Sequence, residues 1–167
     1  RYLGVSNFSI ELMEPVRNLT NLVSLQPQYS LLNRDIEKEI LPYCRQHNIG
    51  ILSYGSLASG ILAGKYRDKP EFAADDTRQG FYPYFDEPIW GKAARLVNVL
   101  RDIAQANNKP VSHIAINWLT QQAGVATALV GARRPEQIQE NAAAGSWPLT
   151  DPELEKIEQA HKEIFSQ

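Results

Sequence analysis

Ile51-Leu52-Ser53-Tyr54-Gly55-Ser56-Leu57-Ala58-Ser59-Gly60-Ile61-Leu62-Ala63-Gly64-Lys65-Tyr66 is an apolar run that passes without a break into a loop of small residues. Ile49 to Ser53 has the length and content of a buried strand. The glycines, alanines and serines from Gly55 to Gly64 let a backbone come close to a flat or anionic ligand, and Tyr54 sets an aromatic face where the strand ends. On composition alone the same loop also reads as a turn-rich connection closed by Gly60 and Gly64. What the neighbouring strands deliver beside it decides between the two.

Upstream, Tyr2 to Ser6 predicts a buried strand, and Ser9 starts a helix with Ile10, Met13 and Val16 on one side. Leu22 to Leu25 is a second apolar run. Asp35 to Gln46 predicts a helix with Ile36, Ile40, Leu41 and Cys44 on its inner face. Downstream, a long irregular stretch runs from Arg67 to Trp90, of a length usually functional or disordered, and Asp75-Asp76 belongs to it rather than to an acid/base pair. Gly91 to Asn108 then predicts a helix with Ala94, Leu96, Val97, Leu100, Ile103 and Ala104 apolar. Val111 to Gln122 follows, entered through Lys109-Pro110 and capped by Ser112. Val125 to Val130 is the last strand, Glu136 to Ala144 a helix, and Thr150 with Glu153 caps the final one.

Four strands alternating with helices require parallel crossover units, with strands covered on both faces. An open doubly wound sheet would carry a Gly-rich fingerprint after its first strand, and Gly4-Val5-Ser6-Asn7 is not one. The remaining solution is half of a (β/α)8 barrel, the C-terminal half, since whole barrels run to about 250 residues. No domain boundary interrupts residues 1–167, which are expected to form a single partial barrel domain. The start at Arg1-Tyr2, with neither methionine nor signal peptide, reads as a cut.

The 167 residues are 43% hydrophobic with a formal charge of −2 and no long basic run, which argues against nucleic acid or an anionic membrane as partner. A single cysteine, Cys44, rules out an internal disulfide and makes the cytoplasm the expected compartment; its helical setting reads as packing. His47, His113 and His161 lie on helical patterns without metal-ligand spacing, so no metal is expected.

Ligands of parallel α/β folds sit at the carboxyl ends of the strands. There the chain delivers Ser6 and Asn7, then Gln26, then Tyr54, Ser56 and Ser59, then Gly131, Ala132, Arg133 and Arg134. Amides and hydroxyls suit a carboxamide, Tyr54 an aromatic ring, and paired arginines at a helix entrance a phosphate. Asn7 equally suits a turn, Gln26 a buried backbone partner, and the arginines a solvated helix entrance.

The chain resembles the aldo-keto reductase family through successive motifs: Gly4-Val5-Ser6-Asn7-Phe8, Gln26 to Arg34, Leu57 to Tyr66, Asp76-Thr77-Arg78, and Gly131 to Gln137 through Glu140-Asn141. The resemblance implies that Ser6, Asn7 and Gln26 hold a nicotinamide carboxamide and that Tyr54 stacks on the ring. It further implies that Gly55, Ser56, Leu57, Ser59 and Gly60 lie along the pyrophosphate. Arg133 or Arg134, with Gln137, Glu140 and Asn141, would hold the 2′-phosphate and adenine of NADP(H). Ser56 replaces the proline of many members, implying a less rigid turn.

Family members draw a Tyr, Lys, Asp and His catalytic set from their first four strands, so no catalytic residue is assigned here; Tyr29, Tyr82 and Tyr84 are not taken as substitutes. The expected function is NADPH-dependent reduction of aldehydes or ketones to alcohols by the intact protein, the N-terminal half of the barrel being the missing partner. The chain alone is expected to be inactive, marginal in stability and prone to self-association, with two open strand edges. The other readings are a non-catalytic, nucleotide-sensing regulatory subunit and a free-standing nucleotide-binding half-barrel. Variable residues around Phe81-Tyr82-Pro83-Tyr84-Phe85 leave the carbonyl substrate open.

Overall fold

The computed structural model describes residues 1–73, 76 and 83–166. Asp75, Thr77, Arg78, Phe81 and Tyr82, named above, lie outside the described residues. The elements run β1 (Leu3–Ser6), α1 (Ile10–Leu19), β2 (Leu22–Gln26), α2 (Ile40–Gln46), β3 (Gly50–Ser53), α3 (Ile89–Ala106), α4 (Val111–Thr120), β4 (Val125–Ala128), α5 (Pro135–Ala143) and α6 (Asp151–Phe165). The four strands pair in the order β1-β2-β3-β4, every pair parallel. Residues cluster into two compact units, 1–56 with 119–133, and 57–118 with 134–167.

The first unit holds the whole sheet with α1 and α2. Leu25 and Ile51 on the two central strands are fully buried, as are Met13 on α1 and Cys44 on α2. The expectation of strands covered on both faces holds for β2 and β3 but not for β1, with three of four residues exposed, or β4, with two of four exposed. Each outer strand has a strand neighbour on one flank only, so less of its surface is covered. On α1 the predicted inner face shrinks to Met13, while Ile10 and Val16 are half-buried.

The helix predicted from Asp35 to Gln46 is broken. Asp35–Glu37 forms a 3-10 turn, and the chain restarts as α2 after Glu39, whose φ of −139° is not helical. The turn is pinned by the Glu37 carboxylate, which accepts from Arg34 Nε at 2.7 Å, Arg34 Nη2 at 2.9 Å and the buried Tyr29 hydroxyl at 2.7 Å. Charge-assisted bonds of this kind outweigh the small helix propensity of three residues. Tyr29 is thereby a packing residue of the Gln26 to Arg34 motif.

In the second unit, α3 buries Trp90, Ala93, Leu96, Val97, Leu100, Ile103 and Ala104, a stripe at helical spacing. Ala93, three and four residues before Leu96 and Val97, takes the place that the sequence pattern gave to Ala94, which is half-buried. Ser112 is no cap: α4 already begins at Val111, and the Ser112 hydroxyl donates to Glu140 Oε1 at 2.9 Å. Trp118 is fully buried, and its indole N–H donates to Glu158 Oε1 at 2.7 Å. Thr150 does cap α6, its N–H and hydroxyl both donating to Glu153 Oε2 at 2.8 Å. Among the described residues no helix is long and apolar enough to cross a membrane.

Candidate functional site

In the first unit, the carboxyl ends of β1, β2 and β3 are tied to one another by the residues that the sequence singles out. The Gln26 carbonyl accepts from Ser6 Oγ at 3.0 Å and from the Asn7 N–H at 3.1 Å. Asn7 turns the chain in the left-handed region, with φ 57°, a conformation that asparagine tolerates better than other non-glycine residues. Its side-chain Oδ1 accepts from the Tyr54 hydroxyl at 3.2 Å. Tyr54 is held from below by two backbone bonds, its N–H donating to the Pro27 carbonyl at 3.0 Å and its carbonyl accepting from Tyr29 at 3.2 Å. Ser6, Asn7, Gln26 and Tyr54 thus form one connected group, with Asn7 serving as turn and as side-chain acceptor together.

Past Tyr54, Gly55 takes φ 68°, which L side chains rarely adopt, and a Cβ there would press on Gln28 Cγ at 3.2 Å. Ser56 is buried, and its hydroxyl points away from the loop surface, donating to Leu129 O at 3.0 Å with Ser53 O at 3.3 Å. The less rigid turn implied by a serine in place of proline is therefore offset by a side-chain tether to the end of β4 that proline could not make. After β4, Gly131, Ala132 and Arg133 are exposed, and a Cβ on Gly131 would meet nothing within 4 Å.

The second unit begins at Leu57 with a strained run. Ala58, Ser59 and Gly60 have φ of 45°, 57° and 92°, and Gly64 has φ of 69°. Two of these are not glycine, and consecutive left-handed residues persist only where surrounding structure over-determines them. The segment bonds to itself, Gly60 and Leu62 both donating to the Leu57 carbonyl, at 2.9 and 3.2 Å. Tyr66 closes it, its hydroxyl 3.4 Å from Ser59 O and its ring edge-on to Phe85. In the same unit, Arg134 is the N-cap of α5, its N–H donating to Gln137 Oε1 at 3.2 Å, while Glu140 is engaged by Ser112. Helix α5 buries none of its residues completely: Glu140, like Arg134 at the cap, is exposed, and Gln137 and Asn141 are half-buried.

Each unit, taken by itself, offers groups of a kind that suit part of a nicotinamide dinucleotide. The first unit offers amide and hydroxyl groups beside a half-buried tyrosine ring; the second offers a close-approach backbone and a cationic helix entrance. Other chemistries are less well served. Burial pushes the Cys44 thiol up to about 11, so it is no thiolate nucleophile. Among the described residues no three His, Cys, Asp or Glu side chains cluster as metal ligands would. Sequence reasoning missed Arg101 on α3, which donates to the carbonyls at the end of the Leu57 to Tyr66 segment. No motif marks an arginine that acts on backbone oxygens from a distant helix.

The sequence profile described as the Aldo/keto reductase family matches residues 1–162. The chain belongs to that family. It is 37% identical over 158 residues to the aldo-keto reductase YhdN of Bacillus subtilis, covering 94% of this chain and 47% of that protein. The solved glycerol dehydrogenase AKR11B4 from Gluconobacter oxydans superposes with a TM-score of 0.91 at 36% identity, covering all of this chain and 50% of that one. A probable voltage-gated potassium channel subunit beta of rice is 30% identical over 168 residues, covering 94% of this chain and 51% of the subunit. The chain spans about half the length of the relatives it matches. Family membership settles the architecture: the four parallel units of this aldo/keto reductase chain are half of a (β/α)8 barrel, consistent with its C-terminal half, and not a doubly wound sheet.

Proposed function

We propose that this chain supplies the cofactor-binding half of an NADPH-dependent aldo/keto reductase that converts aldehydes or ketones to alcohols. The observation that carries this reading is the bonded group Ser6, Asn7, Gln26 and Tyr54 at the carboxyl ends of adjacent parallel strands. Bound NADPH would supply the hydride. In this reading the Ser6, Asn7 and Gln26 side chains orient the carboxamide and the Tyr54 ring supports the nicotinamide face. Gly55, Ser56, Leu57, Ser59 and Gly60 line the pyrophosphate with backbone, Ser56 acting through its tether. Gly131, Ala132, Arg133 and Arg134, with Gln137, Glu140 and Asn141, take the 2′-phosphate and adenine; the arginines are the reason to favour NADPH over NADH.

The proton donor and the carbonyl-polarising group are assigned to the other half of the barrel, which would also close the open flanks of β1 and β4. The chain alone is then inactive, and residues 1–167 act as one domain of the completed barrel. A reducing cytoplasm suits its single free cysteine. The test is carbonyl-dependent loss of NADPH absorbance by this chain joined to the rest of the barrel. Turnover that disappears in the chain alone supports the reading, and turnover by neither overturns it. The likeness to the rice channel subunit favours a second reading, a nucleotide-sensing regulatory subunit. NADPH binding without turnover, together with association with a membrane partner, would select it.

A further inference from the structure

We infer that Arg101 is the positioning residue for the Leu57 to Tyr66 segment and sets how fast a bound nicotinamide dinucleotide is released. The inference rests on the proposal that this segment lies over the cofactor. All the groups involved belong to the second unit.

The segment leaves a strained run at Ala58 to Gly60 and has to be held at its far end, or the strain would relax by opening. Arg101 does the holding. Its Nη2 donates to the Gly64 carbonyl at 3.2 Å and the Tyr66 carbonyl at 3.0 Å. Its Nη1 donates to Asn98 Oδ1 at 2.8 Å, one helical turn back on α3, which orients the guanidinium before the carbonyls arrive. Hydrogen bonds from a charged donor to loop carbonyls are stronger than neutral ones, and a planar fork serves several acceptors at once where an ammonium is a point donor.

The same end of the segment is packed against α4. A Cβ on Gly64 would stand 3.1 to 3.2 Å from Val111 Cβ and both its methyl carbons, so Gly64 can sit only close against that side chain. Tyr66 carries the constraint back into the segment through its hydroxyl, 3.4 Å from Ser59 O, while Phe85 and Phe72 pack edge-on to its ring. Arg101 therefore fixes the far end of the segment that carries the left-handed run. Its bonds go to the segment's carbonyls and to Asn98, so its effect on a bound cofactor passes through the segment and shows as residence time.

The experiment measures NADPH dissociation by stopped-flow chase from the chain joined to the rest of the barrel and from its Arg101→Gln, Arg101→Lys and Asn98→Ala variants, with the exposed Arg95→Gln on the same helix as control. Amide exchange over residues 57–66 is followed in parallel without ligand. Arg101→Gln should speed release about tenfold and lose exchange protection in that segment, with Arg101→Lys recovering part of both and Asn98→Ala showing a smaller effect. Wild-type release from Arg101→Gln, or no recovery by lysine, overturns the inference while leaving cofactor binding intact. If the completed barrel binds no NADPH, the functional proposal has failed, and the exchange arm still decides whether Arg101 holds the segment. If Arg101→Gln does not fold, Asn98→Ala decides, and unchanged release and exchange there overturn the assignment.

Discussion

The Tyr54 hydroxyl reaches Asn7 Oδ1 at 3.2 Å, joining the end of β3 to the end of β1 across the intervening strand. The Tyr54 and Asn7 side chains thereby hold each other in place, and Asn7 makes this bond from a left-handed turn.

Substitution at Asn7 separates turn from contact. Asn7→Gly keeps φ 57° at little cost and loses only the Tyr54 bond, whereas Asn7→Ala loses the bond and adds about 1 kcal/mol of left-handed strain. Urea denaturation should rank wild type and glycine above alanine. Cofactor affinity should fall in both variants. Equal stability of the two would show that the turn carries no strain.

At Ser56, alanine would leave the Leu129 and Ser53 carbonyls without their hydroxyl partner in a buried setting. A loss of about 1 to 2 kcal/mol is expected in chemical denaturation. Ser56→Pro, the residue that the family resemblance leads one to expect there, should stiffen the backbone yet still lose the tether, and so should not exceed wild type in stability.

Glu153 gives the chain an acid-sensitive joint. Burial raises its carboxyl, but bonds from Asn107, the Thr150 N–H and the Thr150 hydroxyl together outweigh that and hold it below its ordinary value of 4.5. A depressed folded value contributes stability that is present above pH 4.5 and is lost as pH falls through the folded value. Thermal melts across that window should show Glu153→Gln losing the least on acidification while being less stable than wild type at pH 7.

Much of this was legible in the sequence. Period and turn residues located all four strands, because alternation of strand and helix leaves parallel pairing as the only solution. What escaped depended on distant partners. The break at Glu39 comes from Arg34 and Tyr29 seizing Glu37, and Ser112 looks like a cap until Glu140, 28 residues away, takes its hydroxyl. The exposure of β1 and β4 follows from the two open strand edges expected of half a barrel, which the expectation of strands covered on both faces left out. At the site, Ser6, Asn7, Gln26 and Tyr54 could be named from strand ends, whereas Arg101 could not, since its acceptors are backbone oxygens that carry no residue signature.

The most direct test is a thermal melt of the chain joined to the rest of the barrel, titrated with NADPH and, separately, with NADH. A ligand that binds only the folded state raises the midpoint in proportion to RT ln(1 + [L]/Kd). The account predicts a saturating rise with NADPH, a smaller one with NADH, and loss of that difference in the double variant Arg133→Glu with Arg134→Glu. No rise with either nucleotide, over the range in which the chain is folded, would contradict it.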